Sequence, residues 1–166
     1  MKLNIKHTFD APLDVVLRAK DERFEHTDKI EGLKKLDYKD VKEDDSGITS
    51  KRDFEIKMGK VPGPIKKMIP SRFFNLEEIS RWDKTANKNE WEMISKERKK
   101  LTWKGVTSYV AKGEKTERTV DCTIKAKIPL IGDAIEKQIA SGFKKSMEKD
   151  ARTLNDMIAL IQEGKV

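Results

Sequence analysis

Two charged residues, Arg52 and Glu78, fall on predicted strand faces that are otherwise apolar. Arg52 shares its face with Phe54 and Ile56, and Glu78 shares its face with Leu76. Successive strand residues point to opposite sides of a sheet, so both charged side chains should point inward. A buried charge is costly unless it is paired or binds a ligand. Arg52 is therefore a candidate anchor for an acidic headgroup or a carboxylate, with Glu78 as its partner, unless a strand bulge or a rim position leaves both in solvent.

His7 is a second candidate for chemistry, because it also lies on an apolar strand face. A lone histidine on such a face is more often a hydrogen-bonded core residue than a general base or a metal ligand. The other histidine, His26, has no neighbours at metal-ligand spacing, and the sequence contains no Ser-His-Asp arrangement, no phosphate-binding glycine loop and no HExxH motif. We therefore expect no metal and no cofactor. An enzyme that uses His7 or an inward carboxylate as its acid or base is the alternative.

Residues 57–72 form the clearest basic block, with five Lys or Arg residues and no acidic residue. The prolines and glycines in this block exclude a central strand, and one helical turn can begin at Pro64. Cations beside apolar side chains are typical of a lid that touches an anionic membrane, while the alternatives are a solvated loop or a nucleic-acid contact. The candidate membrane-contacting residues are Lys60, Ile65, Lys66, Lys67, Met68 and Arg72.

The composition fits one folded domain, residues 1–166, with 36% hydrophobic residues, 39% charged residues and a net charge of +7. No apolar run is long enough to span a membrane, and the first residues lack the apolar region of a signal peptide. One cysteine, Cys122, excludes an internal disulfide. We expect a cytoplasmic monomer with the option of peripheral membrane contact. Nucleic acid is disfavoured, because Trp82, Trp91 and Trp103 alternate with polar residues, whereas stacking platforms need exposed aromatic side chains.

The last segment of the chain predicts one long amphipathic helix. Its apolar residues recur every three or four positions, at Ile131, Ile135, Ile139, Phe143, Met147, Ala151, Leu154, Ile158 and Ile161. Pro129 and Asp133 suit the start of a helix. A four-residue repeat makes the apolar face rotate along the helix, so a twisted sheet should wrap around it. Phe143 should be buried where the contact face changes.

The rest of the chain is predicted to be mostly strands. Alternating apolar residues and turn signals predict strands over residues 2–9, 33–43, 50–58, 71–84, 88–97, 100–111 and 116–128, and short helices after Asp10 and over 21–30. The resulting order is β-α-α-β6-α. Such an order predicts an α+β domain in which the long C-terminal helix lies on the sheet.

This order and two sequence segments resemble the START-like or helix-grip superfamily, in which a curved antiparallel sheet grips a long C-terminal helix. Residues 5–12 (IKHTFDAP) and 128–136 (IPLIGDAIE) resemble a bacterial START-like family of unknown function. Residues 47–52 (GITSKR) and the proline-containing block after Met58 more distantly resemble the PRELI-type phospholipid transfer proteins of mitochondria. Their aromatic-rich lid motif is here the plainer segment 61–65. The first likeness implies a cytoplasmic protein, and the second implies lipid carriage.

Together these patterns favour non-enzymatic binding or transfer of a hydrophobic or amphipathic ligand, a lipid above all, in a cavity between the sheet and the C-terminal helix. The basic lid would gate access to this cavity. The alternatives are a cyclase-, dehydratase- or hydrolase-like enzyme of the same superfamily, and a packed structural or regulatory module without a ligand. The candidate cavity residues are His7, Arg52, Phe54, Ile56, Phe74, Leu76, Glu78, Trp91, Trp103, Ile139 and Phe143.

Overall fold

A curved seven-stranded sheet and one long helix dominate the computed structural model, which describes residues 1–59, 62–97 and 100–166. The strands are β1 (Lys2–Phe9), β2 (Asp40–Glu43), β3 (Gly47–Glu55), β4 (Asn75–Asp83), β5 (Lys88–Ser95), β6 (Leu101–Lys112) and β7 (Lys115–Ala126). The helices are α1 (Leu13–Glu22), α2 (Gly63–Lys66) and α3 (Gly132–Gln162), and a 3₁₀ turn lies at Arg23–Glu25. The strand order is β1-β7-β6-β5-β4-β3-β2, and each neighbouring pair runs antiparallel. Among the described residues, no helix is long and apolar enough to cross a membrane.

The α+β helix-grip architecture predicted from the sequence is confirmed. Strand β7 shows most clearly why the sheet accepts a helix on one face. Every second residue of β7, from Thr116 to Ala126, is buried, while the residues between them are half-buried or exposed. A strand with one apolar face needs a covering layer, and α3 supplies it.

Several boundaries differ from the sequence predictions; for example, the strand predicted over 71–84 begins only at Asn75, and the strand predicted over 50–58 spans Gly47–Glu55. The second short helix is reduced to the 3₁₀ turn, because α1 continues to Glu22 and the polar residues after the turn favour irregular backbone. The strand predicted over 33–43 shortens to β2, because four of residues 33–39 are charged and weaken strand pairing at the sheet edge. Helix α3 begins at Gly132, since Leu130 has a positive φ of 68°, which an α-helix excludes.

Helix α3 is buried near both ends but not in its middle. Its buried residues lie within 132–140 and 151–158, whereas Phe143, Met147 and Asp150 between them are half-buried. The two ends belong to separate apolar clusters, and the close backbone approaches of α3 are to β7, β1 and α1. The side chains in the middle of α3 are therefore less completely covered than those near its ends.

Candidate functional site

Three aromatic rings meet where the middle of α3 faces the sheet. The ring centroid of Phe143 lies 5.6 Å from that of Trp91 and 5.3 Å from that of Trp103, and the two tryptophan centroids are 6.1 Å apart. The Trp91 indole donates a hydrogen bond to Thr107 Oγ1 at 3.1 Å. The buried Nε1 of Trp103 has no hydrogen-bond partner among the described residues. Burial raises the pKa of the Cys122 thiol, and the Trp103 indole lies close enough to that thiol to oppose this rise.

Eight of the eleven candidate cavity residues belong to the apolar cluster around these rings. Leu76, Trp91, Trp103 and Ile139 are buried in it, and Phe54, Ile56, Phe74 and Phe143 are half-buried at its border. The expectation that Phe143 is fully buried is wrong, because the close backbone approaches of α3 are to β7 and β1. The half-buried side chains lie toward β3 and β4, so the cluster is least covered on that side.

Arg52 and Glu78 form an ion pair across β3 and β4. They are direct partners in the strand register, and Nε of Arg52 donates to the Glu78 carboxylate. Their side chains are 22% and 17% exposed, which places the pair at the border between interior and solvent. Tyr38 is 45% exposed, yet partial burial and then the Glu78 carboxylate raise the pKa of Tyr38, against the opposing charges of Arg52 and Arg23. A cation, a carboxylate and a phenol thus lie near one another.

His7 lies outside the apolar cluster, in a polar region under the middle of α3. Nη2 of Arg118 contacts its Nδ1 at 3.1 Å, and Nδ1 must be the acceptor because arginine has only donors. The ring proton is therefore on Nε2, which donates to the Glu148 carboxylate at 3.0 Å. Both ring nitrogens are engaged, and this arrangement fits a structural histidine better than a general base.

Asp150 of α3 bridges two buried arginines that the sequence analysis missed. One carboxylate oxygen accepts a hydrogen bond from Arg118, and the other forms an ion pair with Nη2 of Arg23 at 2.7 Å. Arg118 is 2% exposed and Arg23 is 7% exposed. Burial would raise the pKa of Asp150, but the charges of Arg23 and Arg118 outweigh burial and hold this pKa below its usual value. The available signal was the position of Arg118 between Thr116 and Val120 on the buried face of β7.

The candidate lid contains the single helical turn α2, with Pro64 as its second residue. Ile65 is half-buried, Lys66, Lys67, Met68 and Arg72 are exposed, and Lys60 lies outside the described residues. Ile69 packs against the same apolar cluster as Phe143. The lid segment therefore lies beside the aromatic cluster and presents its described cations to solvent.

Two surface depressions are present, and neither is lined by Phe143 or Trp103. One, of about 530 Å³, surrounds Gly105 and Val106 of the sheet and is also lined by Trp91. The other, of about 480 Å³, lies beside residues 125–133, where α3 begins. A ligand between Phe143 and the sheet would therefore require Phe143 or the lid segment to move.

Solved structures of low sequence identity share this fold. The protein TTHA0849 of Thermus thermophilus is 18% identical, with 97% of this chain and 99% of that chain covered and a TM-score of 0.62. The Zhui aromatase/cyclase of Streptomyces sp. R1128 is 12% identical, with 96% and 95% covered and a TM-score of 0.59. A START superfamily protein from Mycobacterium smegmatis is 13% identical, with 96% and 98% covered and a TM-score of 0.50. The chain therefore has the START-like helix-grip fold.

Sequence comparison gives the family but no characterised relative. No curated protein matches the chain significantly. Residues 4–158 match the family described as "Protein of unknown function (DUF2505)", and the chain belongs to that family.

Proposed function

We propose that the protein binds a hydrophobic or amphipathic ligand, with a lipid as the favoured class, between α3 and the face of β3–β5. The uneven burial of α3 supports this proposal, because the apolar side chains of its middle, Phe143 and Met147, stay half-buried between two buried ends. Apolar surface that remains partly wet gains free energy when an apolar ligand covers it. Phe143 and Met147 are the α3 residues that such a ligand would contact.

The Arg52–Glu78 pair would hold the polar end of this ligand. A guanidinium group can donate two parallel hydrogen bonds to a carboxylate or phosphate. Because the pair is partly exposed, the cost of exchanging Glu78 for a ligand oxygen is modest. The Tyr38 hydroxyl adds a further donor within electrostatic reach of the pair. An acidic amphipath therefore fits this place better than a neutral hydrocarbon.

The lid, residues 57–72, would control access to the aromatic cluster. Ile69 packs against the cluster, so outward movement of the lid would uncover apolar surface beside Phe143. The exposed cations Lys66 and Lys67 suit the phosphates of an anionic membrane. Contact of the lid with such a membrane would let a lipid pass between bilayer and protein without crossing water.

Acid–base catalysis is the less favoured function. The similarity to an aromatase/cyclase is at 12% sequence identity, a level that supports a shared fold but not a shared activity. His7, on which the enzyme alternative depends, has hydrogen-bond partners at both ring nitrogens. Glu78, the inward carboxylate, is paired with Arg52. These contacts leave neither group poised to move a proton to or from a ligand.

Quenching of tryptophan fluorescence by a dibrominated stearic acid tests the proposed site, because bromine quenches indoles at contact distance. Trp91 and Trp103 border the site, whereas Trp82 packs against the separate apolar cluster at the C-terminal end of α3. We expect saturable quenching in the wild type and in Trp82→Phe, and loss of quenching in Trp91→Phe/Trp103→Phe. Native mass spectrometry of the purified full chain should also show a co-purifying apolar molecule. Unsaturable quenching together with a ligand-free mass would rule out the site.

The double variant Arg52→Gln/Glu78→Gln should weaken binding of stearic acid about 10- to 100-fold, which corresponds to about 1.5–3 kcal/mol for a charge-assisted contact. Replacing both residues avoids leaving one partially buried charge alone. Binding of stearyl alcohol should stay unchanged, because it carries no acidic headgroup. Lys39→Gln/Glu77→Gln is the matched control, since Glu77 neighbours Glu78 but points to the opposite face of β4. Equal losses in the two double variants would contradict a headgroup role for Arg52.

A further inference from the structure

Three loops meet at the end of the sheet where α3 begins. Their described residues are 56–59, 62–74, 96–97, 100 and 127–131, and backbone hydrogen bonds hold the three loops side by side. Lys96 N donates to Asn75 O at 2.8 Å, beside the end of the first loop, and Lys127 N donates to Lys100 O at 2.7 Å. We call this surface the basic loop face.

The basic loop face carries almost exclusively positive charge. Its described residues include one acidic residue, Glu97, and seven basic residues, Lys57, Lys66, Lys67, Arg72, Lys96, Lys100 and Lys127. All seven are exposed, and within the described parts of the chain none of them forms an ion pair. Unpaired surface cations on adjoining loops add their fields and attract an anionic partner.

Leu130 projects from the third loop of this face. Its side chain is 97% exposed, although leucine gains free energy when it is buried. Its φ of 68° lies in the left-handed region, which costs a residue with a branched side chain about 1 kcal/mol. Leu130 therefore buries almost no apolar surface in the isolated fold and occupies a position that glycine or asparagine would fill with less strain.

The neighbours of Leu130 explain why its side chain must point outward. Ile128 is buried in the apolar cluster, and Ile131 packs against the same cluster. A Cβ atom at residue 132 would run into the carbonyl oxygen of Ala126, so Gly132 lets α3 begin tightly against the end of β7. Gly132 N also bonds to Ile128 O at 2.9 Å, which closes the turn with Leu130 at its tip.

A second apolar side chain on the face is Met68 of the lid, which is 42% exposed. Apolar tips surrounded by unpaired cations are the features of a surface that binds an anionic bilayer, because the cations meet lipid phosphates and the tips enter the interface. A nucleic acid would use the cations but would leave an aliphatic tip such as Leu130 in water.

We infer that the basic loop face docks on an anionic lipid bilayer and that Leu130 is its apolar anchor. The inference rests on the proposed membrane contact of the lid and adds to it a second point of insertion, at the start of α3. The lid can then move while Leu130 and the cations around it, Lys100 and Lys127, keep the protein at the surface.

Flotation of the full chain with vesicles tests the inference. Vesicles of equal parts phosphatidylcholine and phosphatidylglycerol should bind the wild type more strongly than pure phosphatidylcholine vesicles, and less as salt rises, because charge attraction is screened. Leu130→Asn should weaken binding to the anionic vesicles at least about tenfold, since insertion of one leucine side chain is lost. Asparagine tolerates the left-handed backbone, so the thermal midpoint should not fall.

Three further variants keep the outcomes distinct. Leu130→Met should restore binding, and Val41→Asn, at an exposed apolar position of the edge strand β2, should leave it unchanged. If Leu130→Asn binds the anionic vesicles as strongly as the wild type while Lys66→Gln/Lys67→Gln binds them more weakly, Leu130 is not an anchor but the lid does contact the membrane. Failure of the wild type to bind anionic vesicles, or binding of duplex DNA in their place, would overturn the docking face. Quenching by dibrominated stearic acid in the absence of vesicles measures ligand binding separately. Absence of that quenching would contradict the proposed ligand binding but not the docking on a bilayer.

Discussion

Asp150→Asn should lower the free energy of unfolding by about 3–5 kcal/mol, the cost of removing one partner from a buried ion-pair network. The reason is that Asp150 is the carboxylate shared by Arg23 and Arg118, which are both buried. Asparagine keeps the shape of the side chain but not its charge, so two buried guanidinium groups would face each other without compensation. Urea unfolding followed by circular dichroism measures the loss.

Glu148→Gln is the matched control for this substitution. Glu148 lies two residues earlier on α3 and contacts His7, but its side chain is 61% exposed. An exposed pair of this kind contributes less than about 1 kcal/mol. Comparable losses in the two variants would mean that the buried arginines do not depend on Asp150.

Acid should reveal the same network in the wild type. Burial raises the pKa of Asp150, yet Arg23 and Arg118 outweigh it, so the folded-state pKa lies below the unfolded value of about 3.9. A depressed folded pKa contributes stability that is present above the unfolded pKa and is lost as pH falls through the folded pKa. Below about pH 5, the wild type should therefore lose more stability than Asp150→Asn. Other carboxyls with lowered pKa values, such as Glu136 and Asp44, are shared by both proteins and cancel in the difference.

The fold could be predicted from the sequence because its signals are local. Alternation in strands such as β7 and the three- and four-residue spacing of α3 depend on neighbours along the chain. The pairing of Arg52 with Glu78 could also be predicted, because both residues interrupt an apolar strand face. The ion pair between Asp150 and Arg118 could not be predicted, because helical spacing does not show which strand lies under each turn of a helix.

The half-burial of Phe143 and the exposure of Leu130 have a similar origin. The rotating stripe of α3 indicates that the contact face changes near Phe143, but it does not show that the helix approaches β7 and β1 more closely than β3 and β4. Likewise, residues 128–133 indicate the start of a helix, while the left-handed backbone of Leu130 depends on how closely Gly132 meets Ala126. Both features arise from packing between distant segments of the chain. The proposed ligand site depends on the half-burial of Phe143, and the proposed bilayer contact depends on the exposure of Leu130.

Gly105→Ala should destabilise the fold by about 1–3 kcal/mol, the usual cost of overpacking. A Cβ atom at this position would lie 2.6 Å from the Asp121 carbonyl oxygen, the Cys122 Cβ and the Trp91 Cζ2. The first two atoms belong to the paired strand β7 and cannot retreat easily, so displacement of the Trp91 ring would relieve only part of the overlap.

Gly142→Ala should have the opposite effect on stability. Apart from its chain neighbours and the backbone of its own helix, no atom of the described residues lies within 4 Å of a Cβ built at Gly142, in the middle of α3. Alanine there should stabilise the helix by about 0.5–1 kcal/mol, because it restricts the unfolded chain and favours helical backbone. A thermal midpoint that falls in Gly105→Ala and rises in Gly142→Ala would support the packing described for both glycines. If the proposed site is correct, displacement of the Trp91 ring also alters the wall of that site, and saturable quenching by dibrominated stearic acid should weaken in Gly105→Ala but persist in Gly142→Ala. Unchanged quenching in a folded but destabilised Gly105→Ala protein would place the ligand away from Trp91.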